Sequence, residues 1–194
     1  MKFLFSQKNN QSMQKRGFTL LEVLIAITIL IFAITATFTA AQSGLQSAIE
    51  SKDQVIAYYM AQEAVEFIRN MRDTNSLAGV TWLTGVADVA GDPCYPGKAC
   101  SVDVVANKLS TCPSGPGTCA NLVEDSDTQS STYGMYADAY NSHPASWVSV
   151  NFKREIMIAV LSTNEIAVTV NVTWSRGSFS RVFTVHESIF NWQS

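Results

Sequence analysis

An uninterrupted apolar run at residues 18–41 is the feature that most limits what this chain can fold into. Glu22 is the only charged residue of the run, which is long enough to cross a bilayer at about 20 residues per helical span. A helix that is apolar on every side is expected in a membrane or in the core of a larger assembly. The carboxylate within it requires an explanation, because burying its charge without a partner is strongly unfavourable.

The residues before this run, 1–17, form a basic leader. It holds four of the 13 basic residues of the chain and none of its 16 acidic residues, so the remainder is acidic. A basic flank before an apolar span stays in the cytoplasm, which predicts that the chain after about residue 42 lies outside it. The length of the run and its early acid argue against an ordinary secretory signal peptide. The acidic remainder gives no indication of nucleic-acid binding.

The chain resembles type IV pilins and type II secretion pseudopilins over the stretch Arg16-Gly17-Phe18-Thr19-Leu20-Leu21-Glu22-Val23-Leu24-Ile25-Ala26. This version of the motif is more similar to that of minor pilins and pseudopilins than to that of the most abundant pilins. The resemblance implies that a prepilin peptidase removes the leader between Gly17 and Phe18 and that the new Phe18 amine is methylated. It also implies insertion into the inner-membrane lipid with the C-terminal domain outside the cytoplasm. It further implies that an inner-membrane assembly platform then adds the subunit to a filament of pilin subunits, in the periplasm or at the cell surface.

Two interpretations of Glu22 are open from the sequence. As an interfacial acid, it would reach from the end of the span toward the lipid headgroups. As an assembly residue, it would pair with the positive Phe18 amine of its own chain or of a neighbouring subunit. We favour the second interpretation, since cleavage creates the amine that the carboxylate needs.

The pattern predicts an α+β, pilin-like fold in which one long helix packs on a small antiparallel sheet. The helix has a membrane-spanning half, 18–41, and an amphipathic half, 42–75, whose apolar residues recur at three-, four- and seven-residue intervals. We expect the turn-forming side chains of 73–76 to end it. The remainder, 76–194, is a globular β region outside the cytoplasm.

Most of this globular region, up to residue 144, is predicted to be loop, with disulfide loops at 94–119. Strands are predicted at 152–161, 165–174 and 178–186, and the last two form a hairpin through the turn at 175–177. In the second of these strands the apolar residues alternate, so one face should be buried: Ile166, Val168, Val170, Val172 and Trp174.

All four cysteines lie in the region predicted to be outside the cytoplasm, where an even number favours disulfides. The sequence allows three pairings, and the nearby proline and glycine turns favour the two local pairs, Cys94–Cys100 and Cys112–Cys119. Their spacing is wider than that of zinc-binding cysteine pairs.

We expect neither a cofactor nor a metal site nor enzymatic activity. His143 and His186 stand apart in the sequence, outside any catalytic or metal motif, and are expected to be structural or surface residues. The acidic run 124–127 lacks the alternating spacing of a calcium loop and is expected to be solvated. Two functions therefore remain: a filament subunit, or a monomeric membrane-anchored module that binds or adheres through its disulfide loops.

Overall fold

The computed structural model describes residues 17–192 and forms two units, Met1–Ala48 and Ile49–Ser194. The predicted leader, except for Gly17, lies outside the described residues. A single helix, α1, and eight strands form the described part of the chain. Their bounds are α1 Leu20–Leu77, β1 Ala99–Asp103, β2 Lys108–Thr111, β3 Val123–Asp125, β4 Tyr136–Ala137, β5 Trp147–Ser149, β6 Phe152–Ser162, β7 Glu165–Arg176 and β8 Phe179–Phe190. These elements confirm the α+β fold.

The helical part of the first unit is continuous and exposed along its whole described length. Threonine is a poor helix former, because its β-branched side chain loses rotamer freedom in a helix. In this helix the threonine hydroxyl groups offset that cost by hydrogen bonding to main-chain carbonyl oxygens. The Oγ1 atoms of Thr35 and Thr39 donate to the carbonyl oxygens of Ile31 and Thr35 at 2.7 and 2.8 Å. This segment can therefore be threonine-rich without a break in the helix.

The helix ends later than the sequence analysis predicted, at Leu77. Gly79 adopts a left-handed conformation with φ of 69°. The Val80 amide donates to the Asn75 carbonyl and the Gly79 amide to the Ser76 carbonyl, which together form a Schellman motif. The prediction that residues 73–76 end the helix is therefore wrong. The side chain of Asn75 instead donates to the carbonyl oxygens of Trp82 and Thr84, and so orders the loop that follows.

In the second unit, one face of α1 packs on a five-stranded antiparallel sheet with the order β2-β1-β6-β7-β8. The buried helix positions form a stripe of small and large apolar side chains: Ala57, Met60, Ala61, Ala64, Val65, Phe67 and Ile68. The stripe begins later than the start of the predicted amphipathic half at residue 42, since the apolar residues Leu45 and Ile49 are exposed. A separate three-stranded sheet has the order β4-β3-β5.

The C-terminal strands agree closely with the predicted pattern. The alternating apolar residues of β7 are all buried in the core: Ile166, Val168, Val170, Val172 and Trp174. β7 and β8 form a long hairpin whose register ends at the pair Arg176 and Phe179, around Gly177 at a positive φ. The strands continue beyond their predicted ends, to Ser162, Arg176 and Phe190.

The region between the helix and β6 contains more regular structure than predicted. β1 is buried at all five positions and lies between β2 and β6 in the larger sheet. β3, β4 and β5 make up the smaller sheet, although each is only two or three residues long. The prediction that residues 77–144 are mostly loop therefore missed β1, a buried interior strand of the larger sheet.

Candidate functional site

The start of α1 brings the predicted processing residues close to a helix cap. Thr19 directly precedes the helix, and its Oγ1 accepts a hydrogen bond from the Glu22 amide at 3.2 Å. Thr19 is thus the N-cap and Glu22 is the third helical residue, the spacing of a capping box. Glu22 also places its negative charge in the first turn, where the helix dipole favours it. The sequence Thr19-Leu20-Leu21-Glu22 contains the signal from which this cap could have been predicted.

Gly17 and Phe18 are exposed just before the helix, and 80% of the Phe18 surface is accessible. In this chain the nitrogen of Phe18 belongs to the peptide bond with Gly17, so the amine proposed to pair with Glu22 does not exist before cleavage. The pairing of Glu22 with that amine therefore stays a prediction. The hydrogen bond from the Glu22 amide to Thr19 Oγ1 is already present in the uncleaved chain.

The helix residues that follow expose an almost wholly apolar surface. Every described residue of the first unit is exposed, including Leu24, Ile31, Phe32 and Phe38. One window of the helix is long and apolar enough to cross a membrane. Burial of apolar surface yields about 25 cal/mol per Å², so this surface has a strong tendency to be covered by lipid or by other helices.

The disulfides follow the favoured pairing, Cys94–Cys100 and Cys112–Cys119. Cys94 and Cys100 belong to the main core, next to the start of β1. Cys112 and Cys119 form a smaller cluster with Ala99. Cys100 pairs in register with Thr111, and Cys112 directly follows it, so the two bridges both lie at the open end of the β1–β2 hairpin. They constrain the chain there in place of large apolar side chains.

A cluster of acidic and imidazole side chains lies where β1, β4 and the loop before β5 meet. Asp103 is the last residue of β1, Asp138 follows β4, and His143 belongs to the loop that leads to β5. One potential ligand atom from each residue lies within 4.8 Å of the others. The sequence analysis placed His143 outside any metal motif, because its neighbours in space are far from it in sequence.

The acidic run 124–127 is not simply a solvated loop, and that prediction is wrong for Asp125. This residue is the last of β3 and is buried. The Ser130 hydroxyl, followed by the Thr132 hydroxyl and the Asp127 amide, holds the pKa of the Asp125 carboxyl down at about 2. The Thr132 Oγ1 donates to Asp125 Oδ2 at 2.7 Å, and the Asp127 amide donates to Oδ1 at 3.0 Å. The carboxylate thus organises the loop that follows β3.

The comparison with protein families agrees with the geometry of the N-terminal segment. Residues 12–38 match the family model of the prokaryotic N-terminal methylation motif. No curated protein and no solved structure matches the chain significantly. The matched residues include Gly17, Phe18 and Glu22 together with the first half of the exposed apolar helix. The N-terminal segment of this chain thus carries the prokaryotic N-terminal methylation motif, on the same residues as its resemblance to type IV pilins.

Proposed function

We propose that the chain is the precursor of a filament subunit, a minor pilin or a pseudopilin. A prepilin peptidase cleaves it between Gly17 and Phe18 and methylates the Phe18 amine. The subunit then waits in the inner membrane until the assembly platform adds it to the filament. The proposal assigns a structural role and no catalytic activity to the chain.

One combined observation carries the proposal: the methylation motif at residues 12–38 coincides with an exposed apolar helix that contains a single carboxylate. A bilayer can cover such a helix before assembly, and the equivalent helices of neighbouring subunits can cover it afterwards. Because the second unit has its own core, extraction from the membrane need not disturb it. The chain therefore has the two parts that a filament subunit needs.

The role of Glu22 in this proposal follows from electrostatics. Inside a filament of apolar helices, the carboxylate and the cationic Phe18 amine would each be unfavourable without a partner. Together they form an ion pair, either within one chain or between a subunit and its neighbour. Correct addition of a subunit would then be favoured because a misplaced helix leaves both charges unpaired.

Glu22→Gln tests this role more sharply than removal of the whole side chain. Glutamine keeps the capping-box position and the side-chain volume but removes the charge. In cells that contain the peptidase and the assembly machinery, we expect the variant to be inserted and cleaved normally. We expect its incorporation into filaments to fall at least about tenfold, because removing one partner of a buried ion pair costs about 3–5 kcal/mol.

Glu66→Gln is the matched control, since Glu66 lies on α1 in the second unit with an exposed side chain. It should assemble like the unmodified chain. Normal incorporation of Glu22→Gln would remove the assembly role of the carboxylate. A leader retained on the unmodified chain would favour the alternative, a membrane-anchored binding module.

A further inference from the structure

The cluster of Asp103, Asp138 and His143 buries more negative charge than its own residues can balance. Asp103 is 0% and Asp138 is 1% exposed. His143 Nε2 lies 3.1 Å from Asp103 Oδ2 and 3.0 Å from the main-chain carbonyl oxygen of Asp138, and an imidazole can carry at most one positive charge against the two carboxylates. A second negative charge would remain at a site shielded from water, which is strongly unfavourable.

The hydrogen bonds of the two carboxylates leave one oxygen of Asp138 unused. Oδ1 of Asp138 accepts from the Tyr140 amide at 3.0 Å and from Asn141 Nδ2 at 3.0 Å. Oδ2 of the same carboxylate is buried and has no hydrogen-bond partner among residues 17–192. Such an atom needs a partner, because leaving a buried carboxylate oxygen unsatisfied is costly.

The surrounding residues hold the three side chains in place. Asp103 Oδ1 accepts from the Ala106 amide at 2.8 Å, which leaves Oδ2 facing His143. The His143 ring stacks on Trp147, the first residue of β5, with the ring centroids 4.6 Å apart. Asn141 Nδ2 bridges Asp103 Oδ2 and Asp138 Oδ1. Supporting contacts of this kind orient the ligands of metal sites.

From these observations we propose that Asp103, Asp138 and His143 bind a divalent transition-metal ion, with zinc as the preferred ion. Its two positive charges balance the buried carboxylates, and Asp138 Oδ2 gains a partner. An imidazole nitrogen among the ligands favours zinc over calcium or magnesium, which prefer sites made of oxygen alone. The three residues fasten the end of β1 to the loop between β4 and β5, so the metal stabilises the smaller sheet.

The separations within the cluster suit such an ion. Ligands bound tetrahedrally to zinc at about 2.0–2.2 Å lie about 3.4 Å from one another. The 3.1 Å between His143 Nε2 and Asp103 Oδ2 is close to that value. No two of the three ligand atoms are more than 4.8 Å apart, so binding would shorten any one separation by at most about 1.4 Å.

The test uses the full chain, purified in detergent without a histidine tag. No reducing agent is added, so that both disulfides stay intact. After treatment with EDTA, the protein is titrated with zinc chloride, and bound metal and thermal unfolding are measured together. We expect one zinc ion per chain and a higher unfolding temperature. Calcium chloride, titrated in parallel, should bind at least about 100-fold more weakly.

Variants make the assignment specific. His143→Ala and the nearly isosteric Asp138→Asn should each weaken zinc binding at least about 100-fold, more than the effect of losing a supporting residue. His186→Ala is the control, because His186 is the other histidine of the chain and lies on β8, where it bonds to Thr169. It should bind zinc like the unmodified protein.

Near-UV circular dichroism of the EDTA-treated variants establishes that they are folded. Asp138→Asn keeps the test decisive if His143→Ala does not fold, because asparagine preserves the shape of the side chain. Absence of stoichiometric zinc, unchanged affinity in Asp138→Asn, or tighter binding of calcium than of zinc would each overturn the proposal. None of these outcomes depends on cleavage of the leader or on filament assembly.

Discussion

Arg154 on β6 donates from Nη1 to the main-chain carbonyl of Met60 on α1 across 3.1 Å. The same guanidinium donates from Nη2 to the Val102 carbonyl on β1 at 2.8 Å and forms an ion pair with Glu63 on α1. Its side chain is completely buried. One cation therefore joins the helix to two strands of the larger sheet, in the interior of the second unit.

Arg154→Met should lower the free energy of unfolding by about 3 kcal/mol, because it leaves two buried carbonyls and Glu63 without their donor. Denaturant unfolding in detergent, followed by the fluorescence of the buried Trp82 and Trp174, measures this change. Arg181→Met is the control, since the pair of Arg181 with Glu50 is exposed and 3.4 Å long. It should change stability by less than about 1 kcal/mol. Equal effects of the two substitutions would show that Arg154 does not hold the helix to the sheet.

The end of α1 gives a second prediction, which concerns Gly79. Its left-handed backbone is strained for any residue with a Cβ, although no atom lies within 4 Å of the position that a Cβ would take. Gly79→Ala should therefore destabilise the protein by about 1 kcal/mol through the backbone alone. Gly91→Ala, at an equally open site without a positive φ, should have little effect in the same unfolding measurement. A neutral Gly79→Ala would argue against the Schellman motif.

Strand β7 and the end of α1 show which parts of the fold could be predicted from the sequence and which could not. Alternation in β7 was predictable, because every second residue from Ile166 to Trp174 is apolar and a strand with one buried face requires that pattern. The end of α1 was not, because residues 73–76 favour turns in general while the hydrogen bonds around Gly79 decide where the helix stops. The available sequence signal for the end of the helix was Gly79, which lies two residues after the apolar Leu77.

The cluster of Asp103, Asp138 and His143 was out of reach for a different reason. Asp103 ends β1, Asp138 follows β4, and His143 lies in the loop before β5. The smaller sheet beside them forms because β3 pairs with both β4 and β5. Very short strands carry almost no periodic signal. By contrast, the N-terminal segment is read directly from consecutive residues, so the methylation motif could be recognised from the sequence.

A third prediction concerns the two disulfides. Each closes a short loop, with sequence separations of 6 and 7 residues. Replacing either pair by alanine should lower the free energy of unfolding by about 2 kcal/mol, as the loop-entropy model gives for loops of this length. The Cys94/Cys100 variant should lose more than the Cys112/Cys119 variant, because only the first pair belongs to the main core. Peptide mapping without reduction should recover both local pairs, and a crossed pair would contradict the structure.

The loop after β3 should depend on pH through Asp125. Its pKa is about 2 in the folded chain, below the ordinary value of 3.8, so the ionised form stabilises the loop. This contribution is fully present above about pH 4 and is lost as the pH falls through about 2. Hydrogen exchange should show that amides of residues 127–134 lose protection over that range, after correction for the intrinsic exchange rate.

The matched variants separate this effect from general acid unfolding. Asp125→Asn should reduce the protection of the loop at neutral pH and abolish its change between pH 4 and 2. Asp88→Asn, at an exposed position in another loop, should behave like the unmodified chain. If Asp88→Asn removes the pH dependence as well, Asp125 is not its source.

The most direct test of the account is the mass of the N-terminal peptide of the protein recovered from cells that contain a prepilin peptidase. The account predicts a mature chain that begins at Phe18, carries one methyl group on the Phe18 nitrogen, and lacks residues 1–17. Recovery of the chain with its leader still attached, in cells that process their other prepilins, would contradict it.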